Sequence, residues 1–530
     1  MNDSLSDSVS EKLESGKKAG RSGLQKVIYG RTGVLIILVI LQVLFLLRIY
    51  QWLDSYSVYY YAASVLISLV LTIYIINRDI NPYFKIAWLV PILVAPLLGI
   101  LCYAFVYTQT GTRRANRRLC KVIEETSPYL RQDKEVMEHL REESPQTANL
   151  AYYIKEHGGY PAHGNTEAVY FPLGENQYEV LCEELRKAKE FIFMEYFIIE
   201  EGEMWSTILG ILREKVKEGV EVRFMYDGMN CLVRMPYEYP KQLIAYGIQC
   251  KMFAPIRPVL STVQNNRDHR KIVVIDGHTA FTGGINLADE YINKKNRFGH
   301  WKDTGIMIRG DAVQNFTIMF LQMWNIDASG PESYTYYLRP KSAVRRPGLG
   351  YVIPYGDSPL DKENVGEMIY LDIINQATDY VHICSPYLIL DGEMETALRF
   401  AAKRGVDVRL IIPHVPDKEY AYVLAKNHCP NLIRSGVKVY EYTPGFIHAK
   451  TFVSDDSKCT VGTVNLDFRS LYLHFECGVF VYQNPVVMDV ERDFQETLEK
   501  SQRMRLEDYK KYPLRKRILG WMLRAVSPLL

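Results

Sequence analysis

The sequence carries no phosphate-binding GxxxxGK[ST] loop and no Gly-rich dinucleotide turn, so nothing in it points to chemistry driven by a nucleotide. Its nine cysteines lack both the spacing of a zinc site and the density of a disulfide-stapled domain, and they read as reduced, buried thiols. No run of His, Cys and carboxylates has metal-ligand spacing, so the expectation is chemistry without a metal or any other cofactor. Net charge is nearly absent as well. The 63 Lys and Arg against 61 Asp and Glu leave +2, which removes the global field expected of a nucleic-acid binder. Histidine is scarce, at 11 in 530 residues, and that scarcity makes its placement informative.

Two of these histidines open the same pattern: His269-x-Lys271-x4-Asp276 in HRKIVVID and His448-x-Lys450-x4-Asp455 in HAKTFVSD. Each is followed, seventeen residues after the His, by an Asn, Asn286 in TGGIN and Asn465 in VGTVN. The apolar, β-branched run after each Lys predicts a strand, in which residues i and i+2 share a face. His269 therefore projects with Lys271, and His448 with Lys450. A lone His before such a strand is more often structural; two matching copies favour catalysis. Two half-sites facing one pocket bring two imidazoles and two ammonium groups to one anion, which is phosphoryl chemistry. Lys271, Lys450, Asn286 and Asn465 are expected to hold phosphate oxygens, with turn residues Gly284 and Thr463 adding backbone or hydroxyl donors.

The duplication extends beyond the motif. Phe191–Asp227 and Val381–Pro413 read as two versions of one strand–helix–strand unit, each with a Tyr after its first strand (Tyr196, Tyr387), a Gly-Glu-Met opening its helix and Gly-Val-x-Val-Arg before the next strand. Gly247–Pro255 and Gly436–Pro444 form a further pair. HxKx4D written twice resembles the phospholipase D superfamily, over roughly Asn149 to Arg505, and with the N-terminal apolar region it is similar to the bacterial cardiolipin synthases. The resemblance implies an α/β fold, a duplicated α/β/α sandwich with pseudo-twofold halves, preceded by transmembrane helices. It also implies a catalytic set of His269, Lys271, Asp276, His448, Lys450 and Asp455, in which one imidazole attacks phosphorus to form a phosphohistidine and the other serves as acid and base. In the family the first-motif His is usually the nucleophile; the sequence alone does not break the symmetry between the two.

A His acting this way needs a carboxylate on its other nitrogen. Asp276 and Asp455 stand at the far ends of their strands and are better suited to supporting the repeat locally. Asp303 in HWKDTG and Glu476 in HFECG occupy corresponding positions, and the resemblance implies that each orients the His of the opposite half: Glu476 for His269, Asp303 for His448. His300 and His474 are further candidates for the pocket or for loop capping. Tyr196 and Tyr387 are more often core than ligand at such positions. Arg309, Arg469 and the loop Arg257–Arg270 add positive charge near the motifs.

Outside the repeat, Gly33–Leu47 (continued by Ile49–Leu53 after Arg48), Val58–Ile76 and Ile86–Tyr107 are uncharged and apolar, and the last two reach the length of a span. Basic residues lie on both flanks, Lys17, Lys18, Arg21, Lys26 and Arg31 before and Arg113, Arg114, Arg117, Arg118 and Lys121 after. They favour a multi-pass cell-membrane protein with its catalytic part on the cytoplasmic face, and Pro91 and Pro96 allow the third segment to be re-entrant. The expected organisation is a polar tail over 1–30, a membrane region over 31–110, a helical linker over 111–148, a first half over 149–345, a second half over 346–505 and an amphipathic interfacial segment over 506–530. The expected partners are the membrane, phosphatidylglycerol and other anionic phospholipids, with no nucleic acid. Transfer of a phosphatidyl group from one phosphatidylglycerol to another, releasing glycerol, leads the readings. Lipid hydrolysis, and then a phosphodiesterase or nuclease on the same fold, are the alternatives.

Overall fold

The computed structural model describes residues 58–107, 110–232, 234–255, 266–327, 332–338, 349–361 and 363–529, with isolated positions at 44, 47 and 48. The polar tail, nearly all of the first apolar segment and the loop positions 256–265 lie outside the described residues. The chain divides into two compact units: Met1–Asn81, Trp88–Gln109 and Ile256–Thr262 in one, and Pro82–Ala87, Thr110–Pro255 and Val263–Leu530 in the other.

In the smaller unit, Val58–Ile76 is helical, and Ile75, Ile92 and Tyr103 form a small core with Trp88 packed edge-on against Tyr103 at 5.4 Å. Among the described residues no helix is long and apolar enough to cross a membrane, which corrects the spans expected at Val58–Ile76 and Ile86–Tyr107. The segment Ile86–Tyr107 is two helices, Pro82–Val94 and Pro96–Tyr107. The break falls at Ala95, where the following proline disfavours helical backbone. Gly99 then lets the chain fold back on itself, since a Cβ there would stand 2.5 Å from Ile92 Cα. Val58–Ile76 opens on three tyrosines, and the stretch after them, Ala62–Ile76, is about 22 Å long against a hydrocarbon core of about 30 Å. These helices nevertheless expose large apolar side chains, among them Leu66, Val70, Leu93 and Val94.

The larger unit holds the duplicated body. Its first half contributes β1 (Thr166–Phe171), β2 (Phe191–Tyr196), β3 (Glu221–Asp227), β4 (Gln249–Phe253), β5 (Ile272–Ile275), β6 (Thr279–Gly283), β7 (His300–Lys302) and β8 (Gly305–Gly310). The second contributes β9 (Tyr351–Asp357), β10 (Tyr380–Cys384), β11 (Asp407–Pro413), β12 (Lys438–Tyr442), β13 (Gly445–Ile447), β14 (Thr451–Ser454), β15 (Lys458–Gly462), β16 (Glu476–Tyr482) and β17 (Ser501–Arg503). The first sheet runs β1-β8-β6-β5-β2-β3-β4 and the second β9-β16-β15-β14-β10-β11-β12-β17, the same order with one added edge strand. Strands of both halves, such as Phe193 and Val274 with Ile353 and Val461, share one core with the buried helices Val313–Trp324 and Val365–Gln376. Their side chains are apolar on both faces because helices cover the sheets.

The segment expected as a linker is part of this body. Helix Thr110–Thr126 and its successors send Leu119, Leu130 and Leu140 into the common core, and Gln322 donates to Thr126 at 2.8 Å. At the other end of the chain, Leu506–Lys511 and Leu514–Val526 are helical.

Candidate active site

Backbone exchange between the halves builds the site. His269 N donates to Phe475 O and Phe475 N to Arg267 O, both at 2.9 Å. In the mirrored position β13 pairs in parallel with β7, Gly445 opposite His300 and Ile447 opposite Lys302, and His448 N donates to Lys302 O at 2.6 Å. Each catalytic strand is thus led in alongside the segment that ends on the other half's acid. As a result Glu476 lies against His269, with Nδ1 2.9 and 3.0 Å from its two carboxylate oxygens, and Asp303 lies against His448, with Nδ1 2.6 Å from Oδ2. With Nδ1 engaged, Nε2 of each ring is left toward the cavity that both line. Lys271 and Lys450 are buried beside them, each donating to the carbonyl of its own His, and Lys450 Nζ also stands 2.8 Å from His448 Nδ1.

Several residues named with the motif do other work. Gly284 spends its N–H on Thr304 O at 3.0 Å, so it is not an anion donor. What it provides is room: a Cβ there would stand 2.0 Å from Asp303 Oδ1. Gly284→Ala is therefore expected to push Asp303 off His448 and lower turnover by about 100-fold in a protein that still folds, measured as kcat beside a melting curve. Thr463 is likewise not a phosphate donor. Its hydroxyl is given to Glu476 Oε2 and Cys477 O, while Ser470 donates to Glu476 Oε1 at 2.6 Å. Asn286 accepts from Ile198 N at 2.9 Å and donates to Tyr291 OH at 2.8 Å; Asn465 donates to Ser470 Oγ at 3.0 Å, and its buried Oδ1 has no hydrogen-bond partner. Both Asn side chains line the cavity. Tyr291 and Ser470 were not singled out from the sequence, yet each stands five residues after its Asn, a continuation of the repeat that spacing could have revealed.

The motif aspartates do not join the site. Asp276 accepts from the N–H groups of Lys189, Glu190 and Phe191 at 2.8–2.9 Å, and Asp455 from those of Thr378, Asp379 and Tyr380 at 2.8–3.0 Å. Both have φ of +50°, a left-handed turn that carries the carboxylate back across the strand ends. Their role is to tie β5 and β14 to the starts of β2 and β10. Asp276→Ala leaves three donors unpaired and is expected to cost roughly 2–4 kcal/mol of stability, read in a denaturation midpoint, with turnover retained at low temperature.

Burial governs the electrostatics. It holds the His269 imidazole well below its ordinary range, with the Lys271 charge adding to the effect, and holds His448 down at about 4, with Lys450 adding. It lowers Lys271 to about 8 and Lys450 to about 7, and raises the Glu476 carboxyl to about 8. Desolvation disfavours every charged form here. An entering anion reverses that for the lysines.

The cavity measures about 860 Å³. Aromatic side chains, Phe197, Tyr291, Phe298, Trp301, Tyr387 and Tyr420, line it together with Arg234, Arg267, Arg297, Lys418 and Arg469. Tyr387 donates to Asp417 at 2.6 Å, whereas Tyr196 is core. His300 is bonded to Tyr442 OH at 2.9 Å, Arg309 pairs with Glu184 at 2.9 Å, and Arg270 is buried against Glu195. His474 lines the cavity 5.6 Å from the His269 ring, both its nitrogens without a hydrogen-bond partner. Among the described residues, His269, His474 and Glu476 are the one group whose donor atoms lie within 4.8 Å of one another, a set zinc accepts. The charges of Arg469, Lys271, Lys418 and Arg267 all bear on His474, however, and they favour an anion over a divalent cation there.

A duplicated sheet whose two halves each supply a His, a Lys and the other half's acid defines a phospholipase D-like protein. Over residues 181–324 and 370–498 the chain matches the family described as "Cardiolipin synthase, PLD-like domain". The chain belongs to that family. It is 34% identical to the cardiolipin synthase of Geobacillus kaustophilus over 486 residues, covering 90% of this chain and 94% of that one. It is 32% identical to cardiolipin synthase 2 of Bacillus anthracis over 459 residues (86% and 88%), and 48% identical to an uncharacterized protein of Streptococcus mutans over 458 residues (86% and 99%). Among solved structures, the phosphatidylserine synthase of Haemophilus influenzae superposes with a TM-score of 0.53 over 68% of this chain and 95% of that one, at 16% identity, a likeness of fold.

Proposed function

We propose that the protein is a phosphatidyltransferase that makes cardiolipin from two molecules of phosphatidylglycerol. The observation that carries this reading is the pair of cross-oriented imidazoles lining one cavity, each with a buried lysine beside it, in a member of the cardiolipin synthase family. His269 Nε2 attacks the phosphorus of the first lipid, and the P–O bond to the terminal glycerol breaks. His448, which takes up a proton on Nε2 as the anionic diester enters beside it, gives that oxygen this proton, and glycerol leaves. The phosphatidyl group now rides on His269 as a phosphoramidate. His448 takes the proton of a terminal hydroxyl on the second lipid, whose oxygen attacks phosphorus, and cardiolipin leaves with His269 restored. Bond types are conserved, so no nucleotide is required. Glu476 and Asp303 fix the tautomers, and Lys271 and Lys450 with the Asn286 and Asn465 amides stabilise the non-bridging oxygens. The apolar helices of the smaller unit hold the protein at the membrane, and the flanking basic residues favour its cytoplasmic leaflet.

Purified protein given phosphatidylglycerol with EDTA is expected to yield cardiolipin and glycerol. Phosphatidic acid as sole product would replace this reading with hydrolysis. The lysines set a pH dependence. A bound phosphodiester favours both ammonium forms, so their pKa values rise in the complex above the free-site values of about 7 and 8. Affinity is then full below pH 7 and falls as pH rises past about 7 for Lys450 and past about 8 for Lys271, by up to about tenfold per unit for each lysine. The KM for phosphatidylglycerol, whose diester does not titrate in this range, is expected to climb accordingly; a flat KM to pH 10 would count against the clamp.

A further inference from the structure

The C-terminal helix Leu514–Val526 has two faces with different roles. One is fastened to the catalytic body. Gly520 is buried so close to Asn427 that a Cβ would stand 1.5 Å from its side-chain nitrogen. Lys516 pairs with Glu419 at 2.5 Å, Arg524 with Glu395 at 2.9 Å, and Leu523 packs beside Leu424 and Phe468. At 100° per residue, these four inward positions fall within an arc of about 100°. The opposite arc carries Leu514, Ile518 and Met522 in one i, i+4, i+8 stripe, flanked by Trp521 and Leu519, and all five are exposed; Met522 is 67% open and Trp521 56%. A water-exposed surface does not ordinarily leave five large apolar side chains uncovered on one helix. Positive charge borders the stripe: Arg515 lies on the helix, Lys510 and Lys511 just before it, and the Arg517 guanidinium rests over both the Tyr509 and Trp521 rings, at 4.8 and 6.0 Å.

The same element reaches the site. After Val526 the chain turns through Ser527–Leu529, with Ser527 and Pro528 buried, and Leu529 lines the catalytic cavity. An exposed apolar stripe, its basic border and the rim of the active site are therefore one continuous segment of twenty residues, 510–529.

We propose that the outer face of Leu514–Val526 docks on an anionic phospholipid surface and sets the cavity mouth at the level of the headgroups. This rests on the reading of the site as one that takes membrane lipid. Apolar side chains enter the acyl boundary, the arginines and lysines meet headgroup phosphates, and Trp521 sits at the interface. A phosphatidylglycerol headgroup then reaches His269 and His448 past Leu529 while its acyl chains stay in the bilayer.

The test uses the full chain on phosphatidylglycerol vesicles doped with lipid brominated near the headgroup. The wild type is expected to show a quenched tryptophan component that Trp521→Phe removes. Trp521 emission indifferent to the bromines overturns the proposal, as it would if a second copy of the chain covered the face. Ile518→Glu with Met522→Glu is expected to slow transfer in vesicles by about tenfold or more, since both side chains would enter the acyl boundary, and to leave transfer unchanged with short-chain phosphatidylglycerol dispersed in detergent. Equal loss on both substrates overturns it. If the wild type transfers nothing on either substrate, the reading of the site fails, and quenching alone decides the docking face.

Discussion

His269→Ala and His448→Ala are each expected to abolish transfer, with kcat/KM falling by about 10⁴-fold or more and the double variant no worse than either single one. The non-additivity follows from the chemistry. Without the nucleophile nothing expels the glycerol that the acid would protonate, and without the acid the glycerol oxygen leaves as an alkoxide. The two losses separate when the leaving group is changed. From a phosphatidyl ester of p-nitrophenol the nitrophenolate departs without a proton, so His448→Ala should release one equivalent of nitrophenol in a burst and then stall, whereas His269→Ala should release none. The reverse pattern would exchange the two roles. Turnover in both variants would remove the two-half site altogether.

Glu476→Gln is expected to lower the rate of the first step by roughly 10²–10⁴-fold, the range seen when the carboxylate behind a catalytic imidazole becomes an amide. The structure gives the reason. In its ionised form Glu476 holds His269 Nδ1 with both oxygens while accepting from Ser470 and Thr463, so the carboxylate is an acceptor toward every neighbour. An amide turns one of those acceptors into a donor, facing either the ring N–H or a hydroxyl. The ring then flips tautomer or the hydroxyl loses its partner, and Nε2 is no longer a lone pair aimed at phosphorus. Asp303→Asn should act on His448 in the same way, and so should slow p-nitrophenol release far less than glycerol release. Single-turnover rates on the two donors, with melting temperatures as a control for folding, make the comparison. Full activity in Glu476→Gln would end the assignment of Glu476 as the orienting group.

How much of this was legible in the sequence varied with the range of the interaction. The strands β5 and β14 follow from β-branched runs, and the shared face of His269 with Lys271 and of His448 with Lys450 follows from the two-residue period of a strand. The repeat itself announced two halves, and both sheets carry the same strand order. Local spacing was a poorer guide to what each turn residue does. Gly284 and Thr463 looked like phosphate contacts because they flank the motif, but the first makes room for Asp303 and the second holds Glu476. Both functions involve residues 19 and 13 positions away that only a finished sheet brings near. The apolar N-terminal segments suggested spans by composition, whereas the turn at Ala95–Pro96 divides one of them into two short helices.

By itself, then, the sequence determined the chemical inventory: two His, two Lys, two Asn and two candidate acids at matched positions in a chain with no nucleotide loop and a net charge of only +2. Periodicity and repetition are properties of the covalent chain and need no fold to be read. Only the tertiary structure decided that β7 runs beside β13 and Asp268 beside Phe475, so that each acid meets the other half's imidazole. It also carried the C-terminal helix back to the body, where Leu529 reaches the rim of the cavity. Those contacts join residues 145 to 207 positions apart. They exist because burying both sheets against one shared core leaves the strand ends of the two halves face to face, a consequence of packing that no local pattern records.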